Sequence, residues 1–211
     1  PPERIVIETS GVSDPIAVAQ YAHLPGFRLD AVIVLADAET VRRRSTDKHV
    51  GRHVLQQLRG ADLIALNKTD LLDPERLADV RAWLAQTAPA VRVVESQHAG
   101  LPMAVVFDRE PVDDRQHPHH LHDAHDDHRT WTVVNDQPAE RASFDDWLAS
   151  LDERIVRAKG FVHFADEPTT TWEFQLVGAR HRLTRRPPAN DDTTRIVLIG
   201  LPGAADPEEL S

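Results

Sequence analysis

Apolar residues in this chain gather in short runs that stop abruptly at polar loops. Ile5-Val6-Ile7 leads into Glu8-Thr9-Ser10-Gly11, the run Ala31 to Ala36 ends at Asp37, and Asp62-Leu63-Ile64-Ala65-Leu66 ends at Asn67. Hydrophobicity that is continuous rather than alternating predicts strands buried on both faces, as in a parallel sheet. Between the runs the period becomes helical. Val50, Val54, Leu55 and Leu58 share one helical face, and Leu77, Val80 and Leu84 repeat the pattern behind Asp73 as N-cap and Pro74 in the first turn. Asp14-Pro15 predicts another helix start, with Pro15 at the first helical position. Val91 to Val94 predicts a further strand ending at Glu95-Ser96, and Ala104 to Phe107 a last helical turn. Strand alternating with helix in this way is the order of an α/β domain with a parallel sheet.

The alternation stops at Asp108. From there to Thr130 no apolar periodicity survives and His and Asp crowd the sequence, so a linker is predicted. Three segments follow: a domain over 1–108, a His/Asp-rich linker over 109–130, and a second domain over 131–211. In the last, Trp131 to Val134 reads as a strand, and Phe144, Trp147, Leu148, Leu151 and Ile155 as an amphipathic helix capped by Ser143. Gly160 to Ala165, Thr171 to Val177 and Arg195 to Ile199 then read as strands without intervening helices, the pattern of a small α+β domain. Asp206-Pro207 reads as a helix start, and the opening Pro1-Pro2-Glu3 leads at once into an apolar run, so the chain is expected to be a fragment.

Composition narrows the function. A net charge of −10 over 211 residues argues against a nucleic-acid binder, which needs a basic face for phosphates. Neither an 18-residue apolar run nor a basic-then-apolar leader is present, so no membrane partner and a cytoplasmic location are expected. With no cysteine, His and carboxylate are the strong metal ligands the chain has.

The tetrapeptide Asn67-Lys68-Thr69-Asp70 carries the most specific chemistry. The Asp70 carboxylate can accept hydrogen bonds from the N1 and N2 donors of guanine, which adenine does not offer. Lys68 would lay its aliphatic stem along the base, and Asn67 would tie the loop to its neighbours through its amide. A polar turn before the Asp73-Pro74 helix is the plain alternative, but its place after an apolar strand favours a guanine-reading loop. Loops at the carboxyl ends of such strands line ligand crevices. Glu8 is therefore a candidate to hold a magnesium-bound water and the Gly11 amide to approach a terminal phosphate, although a polar loop after a strand is by itself ordinary structure. No Gly-x-x-x-x-Gly-Lys-Ser/Thr occurs in the sequence, so the phosphate cradle and its lysine are not in this stretch.

These residues together resemble the CobW-type GTPases, cousins of the urease and hydrogenase nickel-insertion GTPases. Ile5 to Gly11 with Asp14-Pro15 is similar to the family's Walker-B-like segment, and Val34 to Ala38 to its next strand. Gln57, Ala61-Asp62 and Leu66 to Leu71 look like its guanine-specificity block. Arg157 to Phe161, Phe174 to Gly178 and Ile196 to Gly200 look like its carboxyl-terminal domain, in the family's order. The resemblance implies a partial P-loop-type parallel sheet with flanking helices followed by a small α+β domain. It also implies GTP and Mg2+ as the cofactors of an intact parent, whose upstream portion would carry the phosphate loop and a Cys-x-Cys-Cys motif.

His117, His119, His120, His122, His125 and His128 lie within twelve residues, interleaved with Asp123, Asp126 and Asp127. Neutral imidazoles suit Zn2+ and other divalent transition metals, and nearby carboxylates favour gathering a dication. The spacing is not that of a rigid tetrahedral site, so several interchangeable ligand sets are expected, fitting capture and delivery. A solvated polar linker is the plain alternative. The scattered His23, His49, His53, His98, His163 and His181 read as surface or satisfied core residues, and Arg42 to Arg44 and Arg180 to Arg186 as solvated faces or partner contacts.

The expected function is a GTP-dependent metal chaperone, handing zinc or a similar ion to a client metalloprotein. The alternative is a non-enzymatic metal-binding and interaction module that buffers ions through the linker. An uncovered apolar sheet surface is also expected, and with it a homodimer.

Overall fold

The computed structural model describes residues 4–9, 11, 15–23, 25–107, 128–187, 193–208 and 210. The chain divides between Gly100 and Leu101 into two compact units. Among the described residues no helix is long and apolar enough to cross a membrane.

In the first unit, β1 (Ile33–Asp37), β2 (Leu63–Asn67) and β3 (Arg92–Glu95) form a parallel sheet in that order. A short helix, α1 (Pro15–Ala19), precedes β1, with Pro15 at its start as expected. The crossovers run through α2 (Val41–Ser45) with α3 (Gly51–Gly60), and then through α4 (Pro74–Thr87). Asp73 caps α4, its carboxylate accepting from Arg76 N at 2.8 Å with Pro74 following. Central β2 is buried from Leu63 to Leu66, as its unbroken apolar run predicts. Val54 and Leu58 of α3 and Val80 and Leu84 of α4 close over Ala36, Ile64 and Leu66 to make the core. A fully buried leucine such as Leu58 or Leu84 contributes about 1.5–3 kcal/mol.

Ile5-Val6-Ile7 does not form the expected strand: the segment is irregular and its side chains are 55%, 74% and 61% exposed. The reason lies in β1, the edge of the sheet, where Leu35 is itself 58% exposed. The other face of β1 packs on the core through Val34 and Ala36, so a strand added there would bury apolar side chains on one face only.

The second unit begins with α5 (Met103–Val106), the helical turn that the sequence places at the end of the first domain. Buried Arg157 holds it, Nη1 donating to the carbonyls of Val105 and Val106 at 3.1 and 3.0 Å. Then come β4 (Arg129–Asn135), α6 (Arg141–Ser150), β5 (Ile155–His163), β6 (Thr171–Val177), β7 (Arg180–Arg186) and β8 (Thr194–Gly200). The strands make an antiparallel sheet in the order β4-β8-β5-β6-β7. Phe144 and Trp147 of α6 pack with Phe174, Ile196 and Leu198. Phe144 meets Phe164 and Phe174 edge-on, with centroids 5.4 and 5.3 Å apart, a favoured aromatic geometry. Gly160 is required where β5 crosses β8, because a Cβ there would stand 1.9 Å from the Arg195 carbonyl oxygen.

Three expectations are corrected in this unit, and one element is added. Ser143 lies inside α6, whose N-cap is Glu140, because Ala139 is pinned against β5 by Ala139 N–His163 O and Ala165 N–Ala139 O bonds of 2.9 and 3.1 Å. Ile155 opens β5 rather than closing the helix, since a turn at Asp152 intervenes, its carboxylate accepting from Arg154 N at 2.7 Å. Asp206 starts no helix; its carboxylate accepts from Arg129 Nη2 and Trp131 Nε1 at 2.8 and 2.9 Å and clamps β4. Arg180 to Arg186, exposed at its arginines as a solvated face is expected to be, forms a strand, concealed in the sequence because an edge strand with Leu183 as its single residue on the core carries no apolar period.

Candidate nucleotide-binding site

Parallel pairing sets Asp37 directly opposite Asn67 at the carboxyl ends of β1 and β2, with Leu66 opposite Glu95 of β3. Three loops therefore leave the sheet at one level. This is the edge at which ligands bind open α/β sheets.

The loop after β2 is interlocked with the loop after β3. Ser96 N donates to the Leu66 carbonyl at 2.8 Å, and the Ser96 carbonyl receives both the amide and the hydroxyl of buried Thr69, at 3.3 and 3.2 Å. Thr69 is thus the bolt between them. Asn67 ties the same loops a second time, its Oδ1 accepting from Ala99 N at 2.9 Å, and its backbone carbonyl accepts from Ala38 N at 2.9 Å. His98 and Ala99 have positive φ of 53° and 56°, so this turn is held in a conformation that costs non-glycine residues about 1–3 kcal/mol each.

Lys68 also sits in the left-handed region, at φ 64° and ψ 33°. That twist brings its ammonium to 2.7 Å from Asp37 Oδ2. Partial burial opposes ionisation of Asp37, but the Lys68 hydrogen bond and the amides of Glu39 and Thr40 outweigh it and hold the carboxyl below its usual range. The hydrogen bond to Asp37 correspondingly raises the Lys68 pKa. Asp70 follows within a single turn of 3-10 helix, exposed at the surface. A carboxylate accepting in this position, on a loop fixed from three sides, can pair with adjacent N–H donors of a planar ligand.

Asn67, Lys68 and Asp70 are therefore brought together, with Asp37, Ser96 and Ala99 as neighbours that reading the sequence did not single out. The signal for Asp37 was present: like Asn67, it stands one residue past an apolar run, and equal run ends in a parallel sheet come level. Glu8 and Gly11 are placed otherwise than a loop following a sheet strand. Glu8 is exposed on the irregular segment, and the Gly11 carbonyl accepts from Gln57 Nε2 of α3 at 3.2 Å. Asp62 proves structural: buried, it accepts from Val32 N at 2.7 Å and fixes the approach to β1.

Of the candidate metal ligands, His117, His119, His120, His122 and His125 lie outside the described residues. His128 is half-buried directly before β4. Among the described residues no group of three or more His, Cys, Asp or Glu is arranged to hold a metal ion.

The family model described as the CobW/HypB/UreG nucleotide-binding domain matches residues 1–95, and that of the cobalamin synthesis protein cobW C-terminal domain matches residues 128–211. The chain belongs to the CobW-type GTPase family. The CobW nucleotide-binding match contains Asn67 to Asp70 and ends with β3; the CobW C-terminal match begins at His128 and contains β4 to β8. A zinc chaperone CobW of Pseudomonas aeruginosa is 33% identical over 235 residues, covering 94% of this chain and 62% of that protein. A second zinc chaperone CobW, from Sinorhizobium sp., is 28% identical over 240 residues, covering 95% and 68%. The Zn(II)-bound YjiA GTPase from E. coli aligns at 21% identity and a TM-score of 0.38, over 89% of this chain and 62% of that one. This CobW-family chain thus spans about three-fifths of the length of the Pseudomonas relative, whose coverage is 62%.

Proposed function

We propose that this CobW-family chain is the guanine-reading and carboxyl-terminal part of a GTP-dependent zinc chaperone that delivers its ion to a client metalloprotein. One observation carries the nucleotide half: Asp70 is presented at the sheet's carboxyl edge on a loop bolted by Thr69, Asn67 and Lys68. A rigid acceptor loop suits a ligand with two adjacent N–H donors, which guanine supplies and adenine does not. The zinc half is supported by the names of the Pseudomonas and Sinorhizobium relatives.

The base half of GTP fits these residues. The phosphate half would call on groups that this sequence does not contain, and Mg2+ would add charge neutralisation at the phosphates. In that reading the exposed Glu8 carboxylate would help hold Mg2+ and the Gly11 amide would donate toward the terminal phosphate. The protein works in the cytoplasm, without nucleic acid or membrane, and pairs as a homodimer over the surface around Leu35.

The test is nucleotide binding by the full-length protein. GTP should bind at least tenfold more tightly than ATP, and Asp70→Asn should abolish the difference, since charged-group hydrogen bonds contribute about 1.5–3 kcal/mol each. Equal GTP and ATP affinities in the wild type would refute the reading.

The six-histidine tract favours a second reading, a non-enzymatic module that buffers ions through its linker. Deleting 117–128 should lower zinc stoichiometry in equilibrium dialysis, and unchanged stoichiometry would remove the linker from either account. Light scattering that shows monomer at high concentration would exclude the homodimer.

A further inference from the structure

The second unit carries a strongly basic strand in an acidic protein. Strand β7 reads Arg-His-Arg-Leu-Thr-Arg-Arg, with no acidic residue, while the chain has a net charge of −10. It lies at the sheet edge, paired on one side with β6. Its register places Arg180 opposite Val177, Arg182 opposite Gln175 and Arg186 opposite Thr171, so these arginines share one face of the sheet. Lys159 of β5, aligned with Gln175, and Arg195 of β8, aligned with Phe161, extend the basic character across that face.

The partners of Arg182, Arg185 and Arg186 differ in charge. Arg186 is bound to buried Glu173 and Arg185 to Glu167, whereas Arg182 donates to the neutral amide of Gln175 at 2.9 Å. The arginines are exposed at 180, 182, 185 and 186. A charged edge discourages self-pairing, because two copies of β7 side by side would set arginine against arginine. The same edge offers main-chain donors and acceptors to a strand of opposite charge.

We infer that β7 is a docking edge for an extended acidic segment of a partner protein, which adds to the sheet as a sixth strand. Main-chain pairing supplies the affinity common to strand addition, and the arginines select carboxylates on alternate residues. A nucleic acid fits less well, because among the described residues the exposed aromatic on this face is Phe161 alone rather than a stacking platform. This inference is independent of how nucleotide is bound.

The probe is a fluorescein-labelled peptide of about ten residues alternating Glu with Val, long enough to span an edge strand. Its Gln-for-Glu counterpart and an oligouridylate of equal length are the controls. Fluorescence anisotropy with the full chain should show binding of the acidic peptide alone, weakening as salt is raised. The exchange of β7 amides, measured by NMR, should slow when it binds. Arg180→Gln with Arg182→Gln should weaken binding roughly tenfold, and Arg180→Lys with Arg182→Lys should retain most of it. These positions are chosen because both are exposed, whereas loss of Arg186 would remove the cation bound to the buried Glu173 carboxylate. Equal binding of the neutral peptide, tighter binding of the oligonucleotide, undiminished binding by the glutamine variant, or binding without protection of β7 would each overturn the inference.

Discussion

Asn67→Ala isolates the tie between the two loops that frame Asp70. The substitution removes one hydrogen bond, from Ala99 N to Asn67 Oδ1 at 2.9 Å, and leaves the backbone carbonyl of residue 67 still accepting from Ala38 N. Being exposed, that bond is worth about 0.5–1.5 kcal/mol net. It works against stored strain, since His98 and Ala99 both lie at positive φ, and without it the turn relaxes toward ordinary backbone angles. By the rule that 1.4 kcal/mol is tenfold, the Ala99 amide should exchange roughly three to ten times faster. Global stability should fall by about 1 kcal/mol or less, because relaxation of the strained turn offsets part of the lost bond. Amide exchange by NMR measures the first quantity and urea unfolding the second. Asn67→Asp keeps an oxygen at the accepting position and should preserve the protection. An Ala99 amide as slow in the alanine variant as in the wild type would refute the reasoning, as would an aspartate variant that loses as much as alanine.

Three further outcomes are expected. The Asp37 pKa is depressed, so its ion pair with Lys68 is fully formed above the ordinary carboxylate value of 3.8 and is lost as pH falls through the lower folded value. The Lys68 pKa is raised, so on that side the pair persists below 10.5 and is lost as pH climbs through the higher folded value. In a carboxyl NMR titration Lys68→Met should move the Asp37 midpoint upward, and an unmoved midpoint would disconnect the two. Gly160→Ala should destabilise the second unit by about 1–3 kcal/mol or more in thermal unfolding, since its Cβ would strike the backbone of Arg195 and Ile196. Arg157→Met should cost about 1–3 kcal/mol by depriving the Val105 and Val106 carbonyls of their buried donor, measured by urea unfolding; no loss would mean that water replaces the guanidinium.

Local pattern determined much of this protein. The unbroken apolar run before Asn67 specified a buried parallel strand, and Asp73-Pro74 specified where α4 begins. Each rests on interactions within a few residues of one another, which is what a sequence displays directly. The tertiary structure decided the rest. Whether Ile5-Val6-Ile7 becomes a strand depends on cover for both of its faces, and the face at Leu35 is open. Lys68 meets Asp37, and Thr69 meets Ser96, because parallel register brings separate run ends level across the sheet. Partners 31 and 27 residues apart are joined by strand pairing alone. Strand β7 stayed hidden for the converse reason: its ladder is made of backbone hydrogen bonds, and an exposed edge leaves no hydrophobic period in the side chains to mark it.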